Sequence, residues 1–141
     1  SQSVDPFARN CNLASVTNDI NPNSSAMFHM DAEAFLKHMR EQGRMFDLGI
    51  VDPPYSPRQV SECYKEAGLK CGHTDTQNSV LYKRVRDAMS PLISDGGIVL
   101  SFGCSTTGMG ESRGFRIIEI LSVCHGGAHN DTICMAERKV R

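Results

Sequence analysis

A proline-rich tetrapeptide and a set of aspartates carry the chemistry that this sequence can do. Asp52-Pro53-Pro54-Tyr55 follows directly on the apolar run Phe46–Val51, which reads as a buried strand. Such a strand carries the tetrapeptide to the rim of a sheet. Its two prolines fix φ and remove two backbone donors. What remains is a stiff turn presenting carbonyl oxygens, one carboxylate and one aromatic face. That set suits an exocyclic amino group on a planar ring, whose nitrogen shares its lone pair with the ring and is a poor nucleophile. Accepting both N–H bonds, through the Asp52 carboxylate and the Pro53 carbonyl, draws the nitrogen toward tetrahedral geometry. Tyr55 can stack on the ring. A capped Pro-Pro turn without function fits the same four letters, but the strand before it and the acidic positions upstream favour the functional reading.

Those positions are Asp5, Asp19 and Asp31, each near the end of a short apolar segment. In open α/β sheets, ligands bind outside the carboxyl ends of the strands. A single aspartate there is ordinarily a cap or turn residue. Four at equivalent places, with Asp52, point to a polar cofactor site.

Short strands alternating with helices must hold these residues. Val4 is the only apolar residue before Asp5-Pro6-Phe7, so the first strand is a stub. Ala14–Thr17 is β-prone, and Asn18–Asn23 behind it is a turn cluster. Met27–Met30 is a further apolar patch. Asp31 reads as the N-cap of a helix with Glu33 in its first turn, Ala32, Phe35, Leu36 and Met39 on one face and Gly43 as its stop. Ser56-Pro57 opens a helix carrying Val60, Cys63 and Tyr64, and Gly68–Asn78 is a loop. Val80, Leu81, Val85, Ala88, Met89 and Leu92 mark an amphipathic helix. Asp95-Gly96-Gly97 turns into a buried strand, Ile98–Phe102. Gly103–Gly114 is a flexible lid. Phe115–Val123 and Thr132–Glu137 form strands across the break at His125–Asn130. The pattern predicts an α/β sheet, mainly parallel, with one antiparallel strand.

Composition bounds the reading. The 141 residues suit one domain, and 40% hydrophobic with 22% charged residues is ordinary globular composition. Fifteen Lys+Arg against 16 Asp+Glu exclude a strongly basic chain, though not a local basic patch. No apolar run reaches the roughly 18 residues of a membrane span, and Ser1–Asp5 shows no secretory pattern, so a cytoplasmic location is expected. The six cysteines include no C-x-x-C pair, and Cys124, His125, His129 and Cys134 match no familiar zinc spacing. They are expected to be reduced, mostly buried thiols, with no metal site. Lys83, Arg84 and Arg86 read as a solvated helix face.

Asp52-Pro53-Pro54-Tyr55 resembles the catalytic motif of the S-adenosylmethionine-dependent amino-methyltransferases, chiefly the DNA adenine-N6 and cytosine-N4 enzymes. Asp52–Val60 resembles a run common in small phage and prophage methylases. Asp5-Pro6-Phe7-Ala8 is similar to the family's first cofactor motif, usually Asp-Pro-Phe-x-Gly-x-Gly; Asn18–Pro22 to the acidic end of strand two; His29-Met30-Asp31-Ala32 to the third motif. Gly96–Gly103 looks like strand five, and His125–Lys139 like the closing hairpin.

The resemblance implies a seven-stranded Rossmann-like sheet with a C-terminal antiparallel hairpin. It implies one catalytic domain over residues 1–141; the separate target-recognition domain that the family inserts before or after the catalytic motif is expected to be missing here, where only Ser56–Asn78 and Cys104–Gly114 are available. S-adenosylmethionine would lie across Asp5, Pro6, Phe7, Ala8, Asp19 and Asp31. The target base, adenine in DNA, would be flipped out and held by Asp52, Pro53, Pro54 and Tyr55. Ser56 and Arg58 are expected to contact the substrate, and a homodimer or a partner subunit to supply target recognition. RNA guanine-N2 or protein glutamine methylation, or a non-catalytic cofactor- or DNA-binding subunit, are the alternatives. One departure stands out: Arg9 and Cys11 replace the motif's two glycines. Glycine allows close backbone approach, so either cofactor binding weakens or the loop runs differently.

Overall fold

The computed structural model describes residues 2–54, 78–103, 105–127 and 131–141. Six strands form one sheet: β1 (Ser3–Asp5), β2 (Val16–Thr17), β3 (Phe46–Val51), β4 (Ile93–Gly103), β5 (Phe115–Val123) and β6 (Thr132–Lys139), in the order β2-β1-β3-β4-β6-β5. The first four strands in that order are parallel, and β6 runs antiparallel to both β4 and β5. The expected seventh strand is reduced, among the described residues, to a single parallel bridge between Asn18 and Phe28 beyond β2. The apolar patch Met27–Met30 is too short to extend it.

Helix α1 (Ala32–Glu41) forms as its sequence dictates. Asp31 caps it, its carboxylate accepting from the Ala34 N–H at 3.3 Å, and Ala32, Phe35, Leu36 and Met39 are its buried residues. Helix α2 (Asn78–Met89) stops short of the periodic pattern. Pro91 lies within the 3₁₀ turn Ser90–Leu92 that follows, and Leu92 is buried from that turn.

Both helices pack on one face of the sheet. Val4, Val16, Val51 and Val99 share a core with Phe35, Leu36 and Met39 of α1 and with Val85 and Met89 of α2. Gly49 is needed at the middle of this face: a Cβ there would lie 2.9 Å from the Met89 sulfur. The other face carries Leu48, Ile50, Leu100, Phe102, Cys134 and Ala136, all half-buried. A cavity of about 230 Å³ opens there beside Leu121, which is exposed.

Asp95-Gly96-Gly97 is not a turn before a strand. It is a bulge inside β4, whose pairing with β3 steps from Phe46↔Ile93 to Leu48↔Ile98. Gly96 takes φ +81° there, which glycine tolerates at no cost.

Segment 105–114 is not a free lid. Glu137, 1% exposed on β6, accepts from the Met109 N–H at 2.7 Å and the Gly110 N–H at 3.0 Å. Met109 is itself fully buried. Two hydrogen bonds donated to a buried carboxylate anchor that end of the segment firmly.

The thiols depart from expectation too, since Cys11 and Cys124 are exposed and Cys134 is half-buried. Among the described residues no helix is long and apolar enough to cross a membrane, and no cluster of His, Cys, Asp and Glu is placed to hold a metal.

Candidate functional site

Strand order reverses between β1 and β3. The chain runs from β1 outward to β2 and then returns to the other side of β1 as β3. A crevice opens at such a switch point, outside the carboxyl ends of the strands. Asp5 ends β1, and Asp52 follows the last residue of β3. Asp19 stands two residues beyond β2, and Asp31 caps α1 behind the Asn18–Phe28 bridge. All four sequence-predicted acids therefore lie along one edge of the sheet.

Asp5, Asp19 and Asp31 are oriented by local hydrogen bonds. Asp5 is buried, and its Oδ1 accepts from the Phe7 N–H at 3.0 Å. Asp19 accepts from the Arg9 N–H at 3.1 Å and from the Asn21 N–H at 2.9 Å. Burial, with the Asp52 and Asp19 carboxylates nearby, pushes the Asp5 pKa up to about 6, even though the Phe7 N–H and Arg9 pull it down. The crevice thus concentrates negative charge before any ligand enters it.

Asn18, which reads as a turn residue in sequence, is the tie between these acids. It is fully buried. Its Nδ2 donates to the Pro6 carbonyl at 3.1 Å and the Met30 carbonyl at 2.9 Å, and its Oδ1 accepts from the Met30 N–H at 3.0 Å. One side chain so fixes the backbone beside Asp5, Asp19 and Asp31 together.

The first-motif loop keeps a glycine-like path without glycine. Arg9 stands where the first glycine is usual and holds φ +53°, the only positive φ outside glycine among the described residues. Ala8 is buried and donates to the Asn18 carbonyl at 2.8 Å. Phe7 packs against the core, and Pro6 is buried. A non-glycine residue in the left-handed region costs about 1–2 kcal/mol. Replacing Arg9 with glycine is therefore expected to stabilise the protein by about 1 kcal/mol, after allowing for the added freedom of the unfolded chain. Urea denaturation checks this, and a destabilised variant would contradict it.

On the far side of Asp52, Pro53 and Pro54 are buried. The Tyr82 hydroxyl of α2 donates to the Pro54 carbonyl at 3.2 Å, which clamps the turn to the helix. A small cavity of about 50 Å³ lies here, lined by Pro53, Tyr82, Arg86, Ser101, Ser105 and Thr107 among others. Arg86 is not part of a solvated face. Its guanidinium lies 5.7 Å from the Tyr82 ring centre and donates to the Tyr82 and Gly108 carbonyls, each at 3.1 Å. Burial and the neighbouring Arg113 hold its pKa below the ordinary value. Lys83 and Arg84 do face outward, Lys83 bonding Asp87 at 2.7 Å. Tyr55, Ser56 and Arg58 lie outside the described residues, as do Cys63, Cys71 and His129. His125 belongs to the hairpin, its Nε2 2.7 Å from the Thr132 hydroxyl.

The arrangement has counterparts among solved structures. TrmN from Thermus thermophilus superposes with a TM-score of 0.65 at 14% identity, over 99% of this chain and 44% of that one. NodS, an N-methyltransferase from Bradyrhizobium japonicum in complex with S-adenosyl-l-homocysteine, gives 0.63 at 12% identity, over 100% of this chain and 79% of that one. The fold is a methyltransferase fold. NSun6 from Pyrococcus horikoshii, solved with SFG, shares it at a TM-score of 0.61 and 12% identity, over 99% of this chain and 48% of that one. The chain spans less than half the length of TrmN and of NSun6. No family model and no curated protein matches the sequence. In this methyltransferase fold Asp5 and the Asp52-Pro53-Pro54 turn occupy neighbouring positions on one edge.

Proposed function

We propose that the chain is an S-adenosylmethionine-dependent methyltransferase acting on an exocyclic amino group, adenine N6 in DNA. The observation that carries this is the rigid Asp52-Pro53-Pro54 turn. It follows β3 at the switch point, clamped by Tyr82 and close to the Asp5 carboxylate. A cationic cofactor fits such a crevice because it offsets the cost of the Asp5 charge, whose pKa burial above all, with the Asp52 and Asp19 carboxylates, raises to about 6. When bound, S-adenosylmethionine supplies an electrophilic methyl group on a sulfonium.

Asp5, Pro6, Phe7, Ala8, Asp19 and Asp31 form the cofactor side under this reading, with Phe7 contributing through its backbone while its ring stays on the core. Asp52 and the Pro53 carbonyl accept the two amino N–H bonds of a flipped base. The amino nitrogen would be the acceptor of that methyl group, and Asp52 would take the proton the nitrogen gives up. The protein supplies orientation above all, since the leaving thioether is neutral and needs no acid. DNA is the proposed partner, and a homodimer or partner subunit the proposed source of target recognition.

The test is transfer of labelled methyl groups to duplex DNA, single-stranded DNA, RNA and protein, followed by digestion of the product. N6-methyladenine from DNA is the expected product. Label only on RNA or protein would displace the substrate, and no label on any acceptor would overturn the reading.

A further inference from the structure

Ser101 holds an unexplained hydroxyl. Its Oγ is buried and has no hydrogen-bond partner among the described residues. Buried hydroxyls are ordinarily paired, and leaving one unmade costs about 1–3 kcal/mol. An orphan of this kind asks for a ligand or a water. Its place is informative. Ser101 sits beside Val51 in the β3–β4 register, so it adjoins the strand residue that precedes Asp52. It also lines the cavity shared by Pro53 and Arg86.

The chemistry of that cavity is biased toward donors. Arg86 cannot accept a hydrogen bond. Its Nε and Nη1 are fixed on the Tyr82 and Gly108 carbonyls, which locks the guanidinium into the wall. Gly108 in turn is held close to Glu137: a Cβ at Gly108 would collide with the Glu137 carboxylate and with Met135. The wall is therefore rigid, cationic and built from several elements. Its volume of about 50 Å³ has room for the edge of a ring and not for a whole base.

We propose that this cavity reads the acceptor ring nitrogen next to the methylated amino group, with Ser101 Oγ donating the hydrogen bond and Arg86 holding the wall. The inference rests on the amino-methyltransferase reading and adds a specificity-determining residue to it. The two groups recognised are neighbours on one ring edge: N6 and N1 in adenine, N4 and N3 in cytosine. Asp52 and Pro53 take the amino group, and Ser101 takes the ring nitrogen beside it.

The test is a double cycle on the nucleic acid that the wild-type protein methylates. One arm replaces the target adenine by 1-deazaadenine, which keeps the amino group and loses the acceptor. Where the labelled product is N4-methylcytosine, 3-deazacytosine serves instead. The other arm is Ser101→Ala, which should fold at least as well as the wild type because it removes an unpaired buried hydroxyl. The wild type is expected to lose about tenfold in kcat/KM on the deaza base, the value of one hydrogen bond. Ser101→Ala is expected to lose about tenfold on the normal base and to be indifferent to the deaza substitution. Equal losses from Ser101→Ala on both bases, or a wild type that does not distinguish them, would overturn the inference while leaving the methyltransferase reading intact. A wild type that methylates protein but no nucleic acid would overturn the inference alone, no label on any acceptor would take both down, and the first measurement shows which case holds.

Discussion

Replacing Asp52 with alanine is expected to lower kcat/KM for methyl transfer by about 10³-fold, within the range for losing a positioned group that acts in the transition state. The amino nitrogen of a nucleobase has its lone pair in the ring. It becomes nucleophilic only as it pyramidalises, and the Asp52 carboxylate favours that geometry by accepting an N–H and drawing charge from it. Asp52→Asn keeps an acceptor oxygen and loses the charge, so it should fall between wild type and alanine. Cofactor binding is the control. Asp52 is one of the charges that raise the pKa of Asp5, and its removal relieves repulsion in the crevice. Isothermal titration with S-adenosylmethionine should give a Kd for Asp52→Ala within about threefold of wild type, half a kcal/mol or so. An alanine variant retaining activity within tenfold would remove Asp52 from the chemistry. One that also failed to bind cofactor would make its role structural.

Much of this site is written in local sequence. The helix α1 pattern of Ala32, Phe35, Leu36 and Met39 behind an Asp31 cap reproduces the buried face residue for residue. The strand Phe46–Val51 and the hairpin after Phe115 are equally legible, because apolar runs between turn residues have few other solutions. The acids share an edge because parallel strands all point their carboxyl ends the same way.

What stayed hidden depends on contacts distant in sequence. Asn18 looks like any turn asparagine until Pro6 and Met30 are seen around it. Glu137 looks like an exposed strand residue until Met109 and Gly110 fold over it. Arg86 sits in a basic run that reads as solvent-facing, and only the approach of the 105–114 segment turns it inward. The bulge at Asp95-Gly96-Gly97 reads as a turn because glycine with φ > 0 serves both uses.

The largest effect on the fold itself should come from Asp5, and it should run opposite to the effect on function. An ordinary aspartate in the unfolded chain titrates near 3.8, and Asp5 in the fold near 6. The folded state thus binds the proton more tightly. Between those two values stability falls as pH rises, and above about 6 the full cost of the buried charge is present. A shift of about two units corresponds to about 3 kcal/mol. Asp5→Asn keeps an oxygen that can accept from the Phe7 N–H and carries no charge. It is expected to raise unfolding free energy by about 2 kcal/mol at pH 7.5 and by almost nothing at pH 4, where Asp5 is protonated in the fold. Urea titrations at the two pH values separate charge from packing: an equal gain at both would mean that packing is responsible. Under the proposed function the same charge has a use. A cation entering the crevice recovers the energy that burial withholds, so S-adenosylmethionine should bind tighter as pH rises through 6. Asp5→Asn should bind it at least tenfold more weakly and flatten that dependence. A variant gaining stability without losing affinity would place the cofactor away from Asp5.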